Sequence, residues 1–288
     1  MRQERFEGLL WADAICINQN DITERGHQVA VMGQIYNKAA IVHAWLGDNG
    51  EGTQLAMHHI ATTDWGAIWD AIIQRKIDRW SDEDFASVSQ IWNCEYWTRL
   101  WVVPEFVMAK EITIRCGSHQ MQGELLEKLV DNTGAMSILP KERRWQMPTE
   151  PTSRLGLQIV KERLNRLRSQ MLFAEDFAHV LKSLGRGYCA DDRDRMYAFL
   201  SFNLVVSNQL KPDYTKTILQ IFIEICDAEL GGYRYTHQFL HRGAGSWVTT
   251  LLHLREVSEM LGLESDCEEL YFLFPEKRHC HEEAHTQV

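Results

Sequence analysis

The stretch that decides the fold is LLWADAICINQNDITERGHQVAVMGQIYNKAAIVHAWLG, residues 9–47. Its opening segment, 9–17, is almost continuously apolar, which is typical of a strand covered on both faces in a parallel sheet. Asp21 and Glu24 form the D-x-x-E pattern of a capping box, and apolar side chains then recur at helical spacing. Residues 41–46 are apolar again and precede a turn-rich segment. This alternation predicts an α/β domain.

A second block, YWTRLWVVPEFVMAKEITIRCG at residues 96–117, predicts a further helix and a third strand. Pro104 is expected at the first helical position, where its missing N–H costs nothing. Glu105 then falls in the first turn, where the helix dipole favours a carboxylate. Residues 111–116, closed by a glycine, are the third strand candidate. One interpretation of Glu105 is therefore purely structural, as a side chain that suits a helix N-terminus.

The prolines and a change of pattern divide the chain. The stretch 133–153 holds three of the six prolines and is the best candidate for a boundary. Beyond it the apolar periodicity is mostly helical, and the last residues are polar. We therefore predict an α/β domain over residues 1–132, a linker over 133–153 and a mostly α-helical region over 154–288 with a frayed tail.

Composition and charge exclude several classes of protein. The 288 residues include 30 lysines and arginines against 40 aspartates and glutamates, so the net charge is −10 and a broad nucleic-acid surface is not expected. No apolar run approaches the roughly 18 residues that a membrane span requires. Seven cysteines without framework spacing, and an N-terminus without a signal-peptide core, favour a cytoplasmic protein with reduced thiols.

One motif matches a zinc-binding pattern in its residue types and spacing but not in its surroundings. HEEAH at residues 281–285 fits the H-E-x-x-H zinc pattern. That chemistry needs both histidines on one face of a rigid, buried helix and a third ligand elsewhere. The motif lies in a polar segment with nothing to pack it, so we predict no functional metal site.

Four blocks together resemble a known family. They are residues 9–47, residues 96–117, CADDRDRMYAFLSF at 189–202 and KPDYTKT at 211–217. The chain resembles the heterokaryon-incompatibility (HET) domain proteins of filamentous fungi, most specifically in the string W-x-D-A-I-C-I-N-Q-x-D-x-x-E-R at 11–25. The resemblance implies a role in nonself recognition and a cell-death reaction when incompatible strains fuse.

The resemblance also implies a fold and a chemistry. The family is distantly similar to TIR domains, which have a flavodoxin-like α/β fold, and several TIR domains cleave NAD with a glutamate that follows a tryptophan in one helix. By position, Trp101 and Glu105 in RLWVVPE stand where that tryptophan and glutamate stand, and Pro104 stands where many members have glutamine. Cleavage of a nicotinamide–ribose bond passes through an oxocarbenium-like state, which a carboxylate stabilises. Glu105 is thus the candidate catalytic residue, and NAD is the candidate substrate with no certain cofactor.

Three residues are candidates for binding the substrate, each with a structural alternative. Trp101 is either beside the nucleotide or in the core. Asp13 is either a second polar group at the mouth of the sheet or a strand-end aspartate satisfied by backbone N–H groups. Arg25 either binds an anion or belongs to a loop-and-cap network that includes Asp21 and Glu24.

One departure from the family pattern affects the expected fold. Family members carry an S-Y-x-W-G block, the first strand and its loop, ahead of the segment that opens this sequence. In a flavodoxin-like order of 2-1-3-4-5 that strand is central, between the strands expected at 9–17 and 41–46. We therefore expect a flavodoxin/TIR-like domain that lacks its first strand. The alternative functions are a non-enzymatic signalling module that self-associates or binds a protein partner, and an inactive truncated family member.

Overall fold

The computed structural model describes residues 8–48, 51–65, 88–132, 151–169, 177–202, 204–236 and 245–263. The helices within these ranges are α1 (Asp13–Cys16), α2 (Ile22–Lys38), α3 (Glu51–Thr62), α4 (Val102–Met108), α5 (Gly123–Asp131), α6 (Pro151–Ser169), α7 (Phe177–Leu184), α8 (Asp194–Tyr197), α9 (Leu204–Gln209), α10 (Ile218–Thr236) and α11 (Gly245–Met260). Short 3-10 turns lie at Gln90–Asn93, Glu95–Thr98 and Leu200–Phe202. The protein is thus of mixed α/β class and mostly helical.

Within the described ranges one small sheet is formed by β1 (Val42–Trp45), β2 (Ile112–Cys116) and β3 (His119–Gln122), in the order β1-β2-β3. Strands β1 and β2 are parallel, and β3 returns antiparallel to β2. The strands predicted at 41–46 and 111–116 are confirmed. Strand β3 was not predicted, because its short, mostly exposed HQMQ segment has no apolar pattern.

The strand predicted at 9–17 is wrong. Asp13–Cys16 form the short helix α1. Leu9 is 103% exposed and Ile15, within α1, is 83% exposed, whereas Ile17 is buried. A continuous apolar run has no period, so it does not distinguish a strand from other structure. Among the described strands, β1 pairs only with β2.

Helix α2 begins as predicted. Oδ1 of Asp21 accepts hydrogen bonds from the N–H groups of Thr23 and Glu24, at 2.9 and 3.1 Å. The Glu24 carboxylate does not close back on Asp21 as in a capping box; it accepts from the N–H of Asn18 at 3.0 Å instead. The cap therefore fixes the loop before α2 as well as the helix start, and α2 buries Val29, Met32, Gly33 and Tyr36.

Helix α4 begins two residues earlier than predicted. Its first residue is Val102, so Pro104 occupies the third helical position instead of the first. An N–H in the first turn has no partner within the helix, so proline is tolerated there. Glu105 lies in the first turn, as predicted.

One core joins the sheet to the helices that follow it. Trp92 and Trp97 are almost fully buried, with ring centroids 5.5 Å apart, and Trp97 also packs edge-on against Phe106 of α4. Helix α6 lies on these tryptophans: at Gly156 an added Cβ would be 2.7 Å from Cγ of Trp97. Most of the 133–153 linker lies outside the described residues, and the predicted domain boundaries stay predictions.

Where the structure describes it, the region after the predicted linker is mostly helical, as expected, with non-helical connections at 185–193 and 210–217. The frayed tail and the HEEAH motif at 281–285 lie outside the described residues. Within those residues, no helix combines the length and the apolar character that a membrane crossing needs.

Candidate functional site

The Glu105 carboxyl group lies at the start of α4, next to a buried phenol. Tyr96, in the 3-10 turn Glu95–Thr98, is 5% exposed and donates its hydroxyl hydrogen to Oε1 of Glu105 at 2.9 Å. The sharp turn between Tyr96 and α4 brings the two side chains together although they are nine residues apart. Glu105 itself is partly buried.

This environment changes the acidity of Glu105. Burial raises the pKa of the carboxyl group to about 7, because the charged form loses solvation. The hydrogen bond from Tyr96 and the positive charge of Arg99 lower the pKa, and the negative charge of Asp13 raises it. Near neutral pH both protonation states of Glu105 are therefore well populated, as a general acid or base requires.

Two tyrosines surround this carboxyl group. Burial, followed by the negative charge of Glu105, raises the pKa of both Tyr36 and Tyr96 well above the ordinary value. Both hydroxyls therefore remain protonated donors throughout the physiological range. Tyr36 lies on α2 and packs edge-on against Trp11 at 5.9 Å between ring centroids.

The structure brings Asp13 into electrostatic reach of Glu105. Its charge raises the pKa of both Glu105 and Tyr36. Asp13 stands on helix α1, so its expected position at a strand end is wrong. Its Oδ1 accepts from the N–H of Ala14 at 2.8 Å, which matches the alternative of a carboxylate satisfied by nearby backbone.

Trp101 and Arg25 meet at a different carboxylate. Asp194, which is 5% exposed, accepts from Nε1 of Trp101 at 3.3 Å and from the guanidinium of Arg25 at 3.3 and 3.2 Å. The Tyr214 hydroxyl donates to Oδ1 of Asp194 at 2.6 Å. We call these four residues the Asp194 cluster. Burial raises the pKa of Asp194, and the donors Tyr214, Arg25 and Trp101 oppose that rise.

Asp191 completes the charge balance around Arg25. It lies 3.4 Å from the Arg25 guanidinium and receives a two-pronged hydrogen bond from Arg193, with both distances 2.9 Å. Burial alone would raise the pKa of Asp191, but Arg193 and Arg25 hold it below the ordinary value. The Arg25 guanidinium also stacks 3.8 Å from the Tyr214 ring centroid. Arg25 thus belongs to an internal network with Asp194, Asp191 and Tyr214, which differs from the expected loop-and-cap network with Asp21 and Glu24.

Sequence reasoning missed most partners of these residues. Tyr96 and Arg99 stand in the same block as Glu105, so a search for donors near the candidate acid could have found them. Asp194 and Tyr214 stand in the blocks at 189–202 and 211–217, which carried the resemblance without an assigned role. Their contacts span up to 169 residues along the chain, and spacing cannot reveal such contacts.

Among the described residues, no group of three or more histidine, cysteine, aspartate or glutamate side chains is arranged to hold a metal ion. The arrangement present is a carboxyl group with an elevated pKa, a phenol donor on one of its oxygens and a second acid nearby. Such a group can accept or release a proton, or stabilise a developing positive charge.

Comparison with known proteins relates the N-terminal part of the chain to one family. The family described as Heterokaryon incompatibility protein (HET) matches residues 1–105. The match covers 105 of the 288 residues, so the N-terminal part of the chain is similar to the HET domain. The chain is also similar to heterokaryon incompatibility protein 6, OR allele, of Neurospora crassa, with 26% identity over 262 aligned residues that cover 76% of this chain and 38% of the relative. The chain therefore spans about two fifths of that relative's length. No solved structure matches this sequence.

Proposed function

We propose that this chain is a HET-type module of fungal nonself recognition, and that it promotes cell death by cleaving NAD at Glu105. The family match and the Neurospora relative support the incompatibility role. The observation that carries the enzymatic part is the Glu105 carboxyl group, whose oxygen is fixed by Tyr96 and whose pKa is about 7. The parallel pairing of β1 and β2 supports the further inference that the α/β part is TIR-like.

In the proposed reaction, water cleaves the nicotinamide–ribose bond and yields nicotinamide, ADP-ribose and a proton. Positive charge develops on the ribose as the bond lengthens, and the ionised carboxylate of Glu105 stabilises it. Tyr96 holds one carboxylate oxygen, while the other meets the ribose. As water adds to the ribose, Glu105 accepts its proton, for which a pKa near 7 is well matched.

The other candidate residues take supporting roles in this proposal. Asp13 adds negative charge near the developing cation. Trp101, whose indole N–H donates to Asp194, is proposed to contact the nucleotide. Arg25 orients Asp194 and thereby Trp101, and it does not bind the substrate phosphates, because Asp194 and Asp191 already balance its charge.

Nicotinamide release from NAD by the purified chain tests this function. The assay compares wild-type protein with Glu105→Gln, at high protein concentration. Glu111→Gln is the matched control, because it makes the same change at an exposed residue a few positions away. We expect release that is lost in Glu105→Gln and kept in Glu111→Gln. A folded wild-type protein that releases no nicotinamide, or a fully active Glu105→Gln variant, would contradict the proposal.

A second candidate function is a non-enzymatic signalling module that self-associates or binds a protein partner. The Asp194 cluster favours it, since Arg25 and Trp101 are joined by one buried carboxylate to Tyr214 more than a hundred residues away. In this alternative, the cluster couples segments that are far apart in sequence and in contact in the fold, so that binding at one segment affects the other. Sedimentation velocity over a range of protein concentrations tests self-association. If the chain is a monomer at all concentrations, binding to a different protein is the remaining form of this hypothesis.

A further inference from the structure

The helix that carries Glu105 is too short to be stable without contacts from other parts of the chain. Helix α4 has seven residues, fewer than two turns, and helices of that length are not stable in isolation. The carbonyl groups at its C-terminal end lack partners within the helix and need donors from elsewhere. Those donors decide how firmly Glu105 is held.

Arg163 of helix α6 donates to one carbonyl group of the last turn of α4 and to those of the two residues that follow the helix. Arg163 is 3% exposed. Its guanidinium donates hydrogen bonds to the carbonyl oxygens of Phe106 at 3.2 Å, Lys110 at 3.0 Å and Ala109. Its Nε also donates to Oε1 of the buried Glu127 at 2.6 Å. The planar guanidinium can reach all four acceptors at once, and a lysine ammonium cannot.

Arg166, one turn further along α6, extends the arrangement. It donates to the carbonyl oxygen of Val107 in α4 at 2.7 Å and to the side chain of Asn37 in α2 at 3.0 Å. Asn37 directly follows Tyr36, which lies beside Glu105. Arg166 therefore links the two helices that contribute Glu105 and Tyr36 to the site.

We propose that Arg163 and Arg166, the arginine pair, are positioning residues of the Glu105 site. They hold the C-terminal end of α4 from a helix outside the matched family region, which ends at residue 105. The functional unit of this chain therefore includes α6. The catalytic consequence rests on the proposed NAD cleavage, whereas the positioning of Glu105 does not.

The pKa of Glu105 distinguishes a positioning effect of the arginine pair from a direct effect of the charges of the two arginines. The charges that act on Glu105 are those of Arg99 and Asp13, and neither arginine of the pair is among them. A change in the pKa of Glu105 after substitution of the pair therefore reports a change in the burial or hydrogen bonding of that carboxyl group.

The test uses the full chain and follows the carboxyl carbon of Glu105 by 13C NMR as a function of pH, with Glu105→Gln to assign the signal. The variants are Arg166→Gln and Arg163→Lys. The control is Arg168→Gln, on the same helix, whose ion pair with Asp131 is largely exposed. We expect both variants to lower the pKa of Glu105 from about 7 by about one or more, since a loosened α4 lets water reach the carboxylate. Arg168→Gln should leave it unchanged.

Three results would overturn the proposal. A folded Arg166→Gln protein with an unchanged Glu105 pKa would show that the pair does not position the carboxyl group. A shift of the same size in Arg168→Gln would show a nonspecific effect. Unfolding of both variants while Arg168→Gln folds would assign the pair to the fold as a whole. If only Arg163→Lys unfolds, the pKa of Glu105 in the folded Arg166→Gln protein decides whether the proposal stands.

Activity distinguishes this proposal from the one on which it rests. If the wild-type chain cleaves NAD, the variants should lower kcat by about tenfold with little change in KM, because a displaced carboxylate weakens the transition state more than substrate binding. If the wild-type chain does not cleave NAD, the proposed function fails, but the pKa measurement still decides whether the arginine pair positions Glu105.

Discussion

The hydroxyl group of Tyr96 lies 2.9 Å from Oε1 of Glu105 and donates a hydrogen bond to it. This contact opposes the larger effect of burial on the Glu105 pKa. Near neutral pH the carboxyl group is consequently present in both protonation states. Single substitutions around it should shift its pKa in a direction that follows from the contact removed.

Tyr96→Phe should raise the pKa of Glu105 above about 7, because the variant removes a donor that stabilises the charged form. The stability cost should be about 1 kcal/mol, since the phenyl ring keeps the packing. A pH titration of the Glu105 carboxyl carbon by NMR measures the shift. Tyr188→Phe, at a tyrosine that is 72% exposed, is the control. A Glu105 pKa that stays the same or falls in Tyr96→Phe would mean that the hydrogen bond does not act as described.

Glu105 should also make the stability of the chain depend on pH. Unfolding returns its pKa from about 7 to the ordinary 4.5, so the folded state binds more protons between these values. The stabilisation from the protonated carboxyl group is present below about pH 4.5 and is lost as the pH rises through about 7. Glu105→Gln lacks this dependence and should therefore be more stable than wild type at pH 8, by about 1–3 kcal/mol.

Urea unfolding of both proteins at pH 5 and pH 8 measures this difference. Glu111→Gln controls for the loss of one negative charge at an exposed position. If the stability of wild type and of Glu105→Gln changed with pH in the same way, burial would not raise the pKa of Glu105. The proposed general-base role would then lose its main support.

Asp194→Asn should destabilise the chain by about 2–4 kcal/mol. The variant leaves Arg25 with Asp191 as its remaining carboxylate partner and weakens the acceptor for Trp101 and Tyr214. Asp192→Asn is the matched control, since its ion pair with Arg195 involves a carboxylate that is 62% exposed and is expected to contribute less than about 1 kcal/mol. Equal midpoints of urea unfolding for the two variants would contradict a central role for the Asp194 cluster.

Local signals in the sequence were enough for part of the fold. Strands β1 and β2 and the start of α2 could be predicted, because apolar runs bounded by turns and the Asp21 cap act within a few residues. The segment 9–17 could not, since its apolar side chains lie largely outside the core and a run without a period is ambiguous. Strand β3 was missed because its stability comes from pairing with β2.

The candidate site was predictable to a similar extent. Glu105 could be identified by resemblance, and its place in the first turn of α4 by local pattern. Its elevated pKa could not, because it depends on burial and on Tyr96, Arg99 and Asp13 in three dimensions. Asp194 likewise gains its role only when the chain brings Arg25 and Tyr214 to it.

Gly33→Ala should destabilise the chain by about 1–3 kcal/mol, although alanine in a helix interior is normally better than glycine by about 1 kcal/mol. Helix α2 passes so close to the 3-10 turn Leu200–Phe202 that a Cβ at Gly33 would lie 2.1 Å from Cβ of Ser201 and 2.4 Å from its Oγ. Ser201→Gly removes both clashing atoms, so the double variant should recover much of the stability lost in Gly33→Ala. Urea unfolding of the wild type, both single variants and the double variant gives the coupling free energy directly. A Gly33→Ala protein as stable as wild type, or a double variant without recovery, would show that α2 and this turn do not pack as closely as described.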